Sequence, residues 1–241
     1  MIELKNVGYS YEDAEALKDI NITINKGEAV ALIGANGSGK SSFMKLINGI
    51  MFPDKGVFLF NGQEINSKIM NNNNFSKSFH QKMGFVFQNS EAQLFCPIVY
   101  EEIAFGPTQM GLAQKDIEKR VDDCMKLLNI EHLKHRAPYN LSGGEKKRVA
   151  IASVLSLNPD VLILDEPMNG LDPKTKRFLR DLIIKLNKAG KTIICSTHDF
   201  EYVEGIFKRA VLFSEGHEIV EDDDYLKIIN NEILLKKYNI K

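Results

Sequence analysis

The sequence predicts an α/β fold in which a parallel β-sheet is combined with N-terminal antiparallel strands and an inserted helical segment. Three short runs rich in aliphatic residues have the composition of strands buried on both faces: Val30–Ile33, Val161–Leu164 and Thr192–Cys195. About 30 residues separate the starts of the last two runs, with a helical repeat between them, which is the pattern of a βαβ unit. We therefore expect a parallel sheet.

Strands also dominate the N-terminal part of the chain. The isoleucines in residues 20–24 alternate with polar residues, which is the period of a strand with one buried face. Asn61–Gly62 follows the apolar run Val57–Phe60 and predicts a hairpin turn. The polar stretch Ser67–Gln81, which contains four consecutive asparagines, predicts a surface loop.

The pattern becomes helical from residue 91 to residue 156. Apolar residues recur there at intervals of three and four positions: Ile117, Val121, Cys124, Met125 and Leu128. We therefore predict a single domain, 1–241, in which a core formed by 1–90 and 157–241 surrounds a helical subdomain, 91–156. A hairpin over 210–220 and a charged helical tail from Asp222 are expected to complete the core.

Composition excludes several classes of function. Lys and Arg number 31 and Asp and Glu number 32, for a formal charge of -1, so the excess of cations that nucleic acid or a lipid surface requires is lacking. No apolar run approaches the roughly 18 residues of a membrane-spanning helix. The N-terminus lacks the pattern of a secretory signal, and no two of the three cysteines have C-x-x-C spacing. We expect an intracellular protein without a nucleic-acid partner.

The clearest chemical motif is a phosphate-binding loop with the pattern G-x-x-x-x-G-K-[ST]. It consists of Gly34, Ala35, Asn36, Gly37, Ser38, Gly39, Lys40 and Ser41, and Ser42 follows it. The loop lies between a buried strand and a helical repeat, which is the context that confirms this motif. Its backbone N–H groups converge on phosphate oxygens at a helix N-terminus. We expect Lys40 to reach the β- and γ-phosphates and Ser41 to bind Mg²⁺.

A second motif is the pair of carboxylates, Asp165 and Glu166, that ends the apolar run Val161–Leu164. Asp165 is expected to hold Mg²⁺. Glu166 is placed to polarise a water that attacks the γ-phosphate, and such general-base help is worth about 10²–10⁴ in rate. Acidic turn residues at a strand end are the alternative, but a phosphate-binding loop in the same chain favours the catalytic interpretation.

A third motif, Leu141–Glu145, reads L-S-G-G-E and opens an apolar helix. Ser142 and Glu145 have the spacing of a helix capping box, which is the simpler interpretation. Gly143 and Gly144 expose N–H groups at the helix N-terminus and leave room for an anion, which indicates a second phosphate site.

In this order the three motifs make the sequence resemble the ATP-binding subunit of ABC (ATP-binding cassette) transporters over nearly its whole length. The resemblance implies a P-loop NTPase fold with a RecA-like core, and ATP and Mg²⁺ as ligands. It also implies a dimer, of two identical or two related ATPase chains. In such a dimer Ser142–Glu145 of one chain completes the site formed by Gly34–Ser41 of the other.

The resemblance also implies roles for residues outside these motifs. Gln88 matches the Q-loop glutamine, which contacts Mg²⁺ and the attacking water, and His198 matches the switch histidine, which contacts the γ-phosphate. Glu166, His198 and Gln88 are thus the expected catalytic residues. Asp172 lies in a segment that resembles the D-loop. Tyr11 resembles the aromatic residue that stacks on adenine, although Tyr9 is an alternative that the sequence leaves open.

The segment Gln88–Pro107 resembles the Q-loop region of energy-coupling-factor importers, including cobalt-importer ATPases. In that family the region receives a transmembrane coupling subunit, and Glu91, Glu101 and Glu102 are candidates to meet its basic residues. The resemblance implies a peripheral protein at the cytoplasmic face of the cell membrane, which contacts the membrane only through this partner. The expected cargo is a transition metal ion such as cobalt, or a vitamin.

Two positions depart from the subgroup pattern. Ser90 stands where the subgroup usually has Pro, and Met168 where Thr or Ser commonly follows D-E-P. Neither departure removes a catalytic group. The alternative functions are the ATPase of another ABC transporter and a soluble, non-transport ABC ATPase.

Overall fold

The computed structural model describes residues 1–12 and 14–240. Within this part of the chain it contains ten β-strands and nine α-helices. The strands are β1 (Ile2–Tyr11), β2 (Ala14–Ile24), β3 (Ala29–Gly34), β4 (Lys55–Phe60), β5 (Gln63–Glu64), β6 (Met83–Val86), β7 (Val161–Asp165), β8 (Thr192–Ser196), β9 (Arg209–Phe213) and β10 (Ile219–Asp224). The helices are α1 (Lys40–Ile47), α2 (Ser67–Met70), α3 (Asn73–Lys82), α4 (Val99–Gln109), α5 (Gln114–Leu128), α6 (Gly143–Leu155), α7 (Pro173–Lys188), α8 (Tyr225–Ile229) and α9 (Glu232–Lys237). None of these helices has both the length and the apolar character that a membrane span needs.

The strands form two sheets. A six-stranded sheet has the order β10-β9-β3-β8-β7-β6, and all its neighbouring strands are parallel except β9 and β10. A four-stranded antiparallel sheet has the order β2-β1-β4-β5. The predicted α/β class, with a parallel core and N-terminal antiparallel strands, is therefore confirmed.

The parallel sheet separates two hydrophobic cores. Successive residues of a strand point to opposite faces, so Val30 and Leu32 of β3 pack with α1 and the antiparallel sheet. Ala31 and Ile33 pack on the other face with helices α4 to α7. This double burial explains why the sequence of β3 is continuously apolar instead of alternating.

The βαβ unit of β7, α7 and β8 has parallel register, in which Asp165 aligns with Ser196. Asp172 is the N-cap of α7, and its side chain accepts the backbone N–H groups of Lys174 and Thr175 at 2.9 and 3.0 Å. Because β3, β7 and β8 are parallel, their carboxyl ends lie at one edge of the sheet. Ligands bind at this edge in open α/β folds.

Residues 91–156 contain α4, α5 and α6. Glu102 was expected to meet a partner, but it is only 3% exposed. Its carboxylate accepts the backbone N–H groups of Phe95 and Cys96 at 2.9 and 2.7 Å. Buried carboxylates need such donors, and the expectation for Glu102 is wrong because these donors come from its own chain.

The surface loop predicted over Ser67–Gln81 is also wrong, because this segment forms α2 and α3. One of the four consecutive asparagines is a helix cap, since Asn72 accepts the N–H groups of Asn74 and Phe75, and Asn66, just before the segment, caps α2 by accepting the N–H of Ile69. Asparagine favours both turns and helix N-caps, and burial of Phe79 on α3 decides for the helix.

The helical tail begins three residues later than predicted, at Tyr225. Asp222 lies in β10, where it accepts two hydrogen bonds, of 2.6 and 2.7 Å, from the Arg209 guanidinium. Asp224 ends the strand and caps α8. The acidic residues therefore extend the edge strand by pairing with its neighbour.

Replacing Phe79 tests the packing of α3. Phe79 is 3% exposed and lies edge to face on Phe60, with ring centroids 5.4 Å apart. We expect Phe79→Ala to lower the free energy of unfolding by about 3–5 kcal/mol. Tyr139→Ala, at a position that is 80% exposed, should change it by less than about 0.5 kcal/mol. Urea denaturation followed by circular dichroism measures both, and equal losses would contradict the packed helix.

Candidate functional site

A cavity of about 680 Å³ lies at the carboxyl ends of β3 and β7 and beside the residues that follow β8. It brings together many residues that are distant in sequence but predicted to share a site. These are Tyr11, Asn36, Gly37, Ser38, Gly39, Lys40, Ser41, Ser42, Gln88, Glu166 and His198.

The phosphate-binding loop connects β3 to α1. Gly39 caps the helix in the left-handed region, with φ +102, and a Cβ there would lie 2.4 Å from the carbonyl oxygen of Ala16. Only glycine meets both conditions without strain. Ser38 is 1% exposed, and its hydroxyl has no hydrogen-bond partner among the described residues. A buried hydroxyl without a partner in a loop at a helix N-terminus fits a phosphate oxygen.

Lys40 turns back onto this loop. Its ammonium donates hydrogen bonds to the carbonyl oxygens of Gly34 at 2.7 Å and Ala35 at 2.9 Å. Burial lowers the pKa of Lys40, although the negative charges of Glu166 and Asp165 act in the opposite direction. A phosphate beside Lys40 would favour the charged form that burial disfavours.

Asp165 lies at the end of β7 and is 8% exposed. It accepts hydrogen bonds from Ser41 Oγ at 3.1 Å and from Ser196 Oγ at 2.7 Å. The oxygens of Ser41 and Asp165 are the hard ligands that Mg²⁺ prefers, so this pair fits the ion. In residues 1–12 and 14–240 no group of three or more His, Cys, Asp and Glu side chains could hold a metal.

Glu166 stands where three polar side chains converge. Its carboxylate lies 2.8 Å from Gln88 Nε2, 3.2 Å from Asn169 Nδ2 and 3.4 Å from His198 Nε2. Its backbone has φ +42, in the left-handed region that glycine favours. Such strain is found at functional sites, where the surrounding structure holds it. The contact of Gln88 with Glu166 joins two of the predicted catalytic residues.

Tyr11, not Tyr9, lines the cavity. The Tyr11 hydroxyl lies 3.0 Å from Met51 Sδ and 3.5 Å from Ser42 Oγ. Tyr9 supports the Tyr11 ring edge to face, with ring centroids 5.0 Å apart. The geometry thus favours Tyr11 as the ring available to a bound base.

The L-S-G-G-E motif and Asp172 lie elsewhere. Ser142, Gly143, Gly144, Glu145 and Asp172 line a separate cavity of about 440 Å³. Ser142 and Glu145 form the predicted capping box, in which the Ser142 N–H donates to Glu145 Oε2 at 2.8 Å. This hydrogen bond lowers the pKa of Glu145, and hydrogen bonds from Thr175 lower that of Asp172. Within one chain the two predicted phosphate sites are not joined.

Sequence reasoning missed Ser196 and the role of Asn169. Ser196 Oγ donates to the Asp165 carboxylate and accepts the Glu166 N–H at 2.8 Å, so one hydroxyl holds the Asp165 side chain and the Glu166 backbone. The available signal was a polar residue at the end of a buried strand, but the register that places Ser196 beside Asp165 is a tertiary feature. Asn169 lies three residues before Asp172 in the segment that resembles the D-loop, and its amide donates to the Glu166 carboxylate.

Comparison with known proteins identifies the family. The sequence profile of the ABC transporter family matches residues 17–169, more than half of the chain. The chain belongs to this family. It is an ATP-binding and ATP-hydrolysing ABC subunit, as the three motifs imply.

Relatives of this ABC ATPase include transporter subunits of several organisms. An ABC transporter ATP-binding protein of Clostridium acetobutylicum is 61% identical, with 100% of both chains covered. The nickel import ATP-binding protein LarO of Lactiplantibacillus plantarum is 43% identical, with 92% of each chain covered. The energy-coupling factor transporter ATP-binding protein EcfA of Methanothermobacter thermautotrophicus is 38% identical over 100% of this chain and 76% of its own. The similarity to energy-coupling-factor ATPases is confirmed.

Solved structures confirm the P-loop NTPase fold. CbiO1 of Clostridium perfringens, described as part of the ABC transporter complex cbiONQ, has a TM-score of 0.84 and 36% identity, and the match covers 100% of this chain and 94% of CbiO1. An ATP-binding cassette in a dimeric post-hydrolysis state, bound to ADP and Pi, has a TM-score of 0.83 and 29% identity. That match covers 93% of this chain and 98% of the cassette.

Two glycines of one loop provide a matched test of the nucleotide site. We expect Gly39→Ala to abolish ATP binding, because its methyl group would meet the Ala16 carbonyl oxygen at 2.4 Å. Gly37 also has a positive φ, +82, but nothing lies within 4 Å of its Cβ position. Gly37→Ala should therefore weaken binding only through backbone strain, by about 30-fold or less. Titration with a fluorescent ATP analogue measures both affinities, and equal losses would contradict the loop geometry.

Proposed function

We propose that this ABC ATPase powers an energy-coupling-factor-like importer whose cargo is a transition metal ion such as cobalt or nickel, or a vitamin. One observation carries the proposal: the segment that brings Gln88 onto Glu166 continues, seven residues later, to Phe95, which is 66% exposed. A link between the hydrolytic carboxylate and an exposed apolar surface is what a transport motor needs. The names of the nickel-importing and energy-coupling-factor relatives support the cargo class.

The Phe95–Phe105 surface is the proposed binding site for a transmembrane coupling subunit. Phe105 is 42% exposed, and its ring lies edge to face on Phe95 with centroids 4.9 Å apart. Exposed aromatic pairs are typical of protein interfaces. Buried Glu102 supports this surface by holding the backbone of Phe95. The contact falls within Gln88–Pro107, and it would hold the ATPase at the cytoplasmic face of the membrane through its partner.

The site supports hydrolysis of ATP as follows. Tyr11 stacks on adenine, while Lys40 and the loop N–H groups hold the phosphates. Ser41, Asp165 and Gln88 would hold Mg²⁺, which would offset the charge of the phosphates. Glu166 accepts a proton from a water whose oxygen attacks the γ-phosphorus.

As the new P–O bond forms, the bond to the oxygen that bridges the β- and γ-phosphates breaks, which gives ADP and inorganic phosphate. His198, whose Nε2 lies 3.4 Å from the Glu166 carboxylate, is proposed to donate a hydrogen bond to the γ-phosphate.

A second ATPase chain, identical or related, is proposed to complete each site. Ser142–Glu145 and Asp172 line their own cavity in this chain, so they are free to face the nucleotide of a partner. The dimeric state of the solved cassette bound to ADP and Pi supports the pairing of two ATPase chains. We further propose that 91–156 moves as a subdomain relative to the core formed by 1–90 and 157–241.

Glu166→Gln tests the hydrolytic assignment. The amide cannot accept the proton of the attacking water, so we expect hydrolysis to fall by about 100-fold or more. ATP binding should persist, and the ATP-bound dimer should accumulate. Phosphate release and light scattering measure these effects, and Lys40→Ala should lose nucleotide binding instead. Hydrolysis at the unmodified rate by Glu166→Gln would show that another group is the base.

Phe95→Glu together with Phe105→Glu tests the partner surface. Charges in place of two exposed rings should abolish co-purification of a transmembrane subunit from detergent-solubilised membranes. Ile233→Glu, at a position that is 83% exposed on α9, is the matched control and should retain the subunit. Retention by the double variant would contradict this surface, and reproducible absence of any membrane subunit with the unmodified chain would favour a non-transport ABC ATPase.

Uptake of cobalt, nickel and vitamins by the purified complex identifies the cargo.

A further inference from the structure

Lys147 is a buried lysine that the hydrolytic mechanism does not use. It lies on α6, five residues after Ser142, and is 3% exposed. Its ammonium donates to the carbonyl oxygens of Phe87 at 3.0 Å and Gln88 at 2.8 Å. Lysine is almost never fully buried unless it is paired, and burial lowers the pKa of Lys147 to about 8. Both the charged and the neutral amine carry enough N–H groups for these two bonds.

A second side chain ties the same backbone to α6. Gln93 accepts the Phe87 N–H at 3.1 Å, and its own amide donates to the carbonyl oxygen of Ala150 at 2.8 Å. The backbone N–H and carbonyl of Phe87 are therefore both connected to α6. The segment 87–93 is fixed on the helix that begins with the L-S-G-G-E motif.

The same segment also contacts Glu166, the proposed catalytic base, through the side chain of Gln88. The Gln88 carbonyl oxygen binds Lys147, while the Gln88 side chain donates to Glu166 at 2.8 Å. Gln88 thus contacts Lys147 of α6 through its backbone carbonyl and Glu166 through its side chain. Lys146, the next residue toward the N-terminus, instead forms an ion pair with the exposed side chain of Glu91.

We infer that Lys147 is a positioning residue. It couples the position of α6 to the position of the Gln88 side-chain amide relative to Glu166. A displacement of α6 moves both carbonyl oxygens that Lys147 holds, and with them the Gln88 side chain. Binding of the partner chain's nucleotide at the N-terminus of α6 would thereby change the position of Gln88 relative to the Glu166 carboxylate of the same chain. This inference rests on the proposed role of Glu166 in hydrolysis.

Lys147→Met tests the inference because methionine keeps the length and apolar character of the side chain and removes both donors. We expect kcat for ATP hydrolysis to fall by about 10- to 100-fold, since a misplacement of about 1 Å has effects of this size. KM for ATP should change by less than about twofold, because Lys147 does not contact the nucleotide loop. Amide hydrogen exchange in residues 87–93 should become faster.

Lys147→Arg keeps N–H donors and should recover most of kcat. Lys191→Met is the matched control: Lys191 also donates to a backbone carbonyl, that of Asn158 at 3.3 Å, but it precedes β8 at the opposite edge of the sheet. This control should leave kcat within about twofold of the unmodified protein.

An unchanged kcat in Lys147→Met, or equal losses in Lys147→Met and Lys147→Arg, would overturn the inference. If Lys147→Met does not fold, Gln93→Leu removes the second tie and must show the same fall in kcat without a change in KM. Glu166→Gln, assayed in parallel, distinguishes failure of the proposed catalytic base from failure of the role of Lys147. A fully active Glu166→Gln refutes the proposed base, whereas an inactive Glu166→Gln beside a fully active Lys147→Met refutes only the role of Lys147.

Discussion

The parallel pairing of β3, β7 and β8 is the constraint on which the rest of the site depends. It places the loop after Gly34, the carboxylates at the end of β7 and the hydroxyl of Ser196 at one edge of the sheet. Ser196 then holds Asp165 and the Glu166 backbone together with two hydrogen bonds. A shift of β8 by one residue would reverse the face on which this hydroxyl lies and remove its hydrogen bonds to the Asp165 carboxylate and the Glu166 backbone.

The second feature of the molecule is the division of phosphate-binding groups between two cavities. The loop that begins at Gly34 and the helix that begins at Gly143 each offer an N-terminus to an anion, but they line different cavities. The segment 87–93 is one connection between them: it contacts Glu166, which lines the first cavity, and α6, whose N-terminal residues line the second. This arrangement suits an ATPase whose rate of hydrolysis depends on a ligand or partner bound at the N-terminus of α6 or at the segment 87–93.

Local patterns in the sequence were sufficient for much of this description. The glycine loop, the carboxylates that end β7 and the capping box at Ser142 depend on neighbours within a few residues, so their spacing predicts them. The asparagines before Phe79 were misread as a loop because the burial that favours α3 comes from Phe60, which is distant in sequence. Ser196 and Lys147 could not be identified for the same reason: their partners are set by strand register and helix packing.

The most direct test is a crystal structure of the unmodified chain with a non-hydrolysable ATP analogue and Mg²⁺. We expect the Lys40 ammonium to leave the carbonyl oxygens of Gly34 and Ala35 for the phosphates. The metal should lie between Ser41 and Asp165, and the γ-phosphate should face Glu166. A γ-phosphate remote from Glu166, or a metal bound without Asp165, would contradict the assignment of this edge of the sheet as the hydrolytic site.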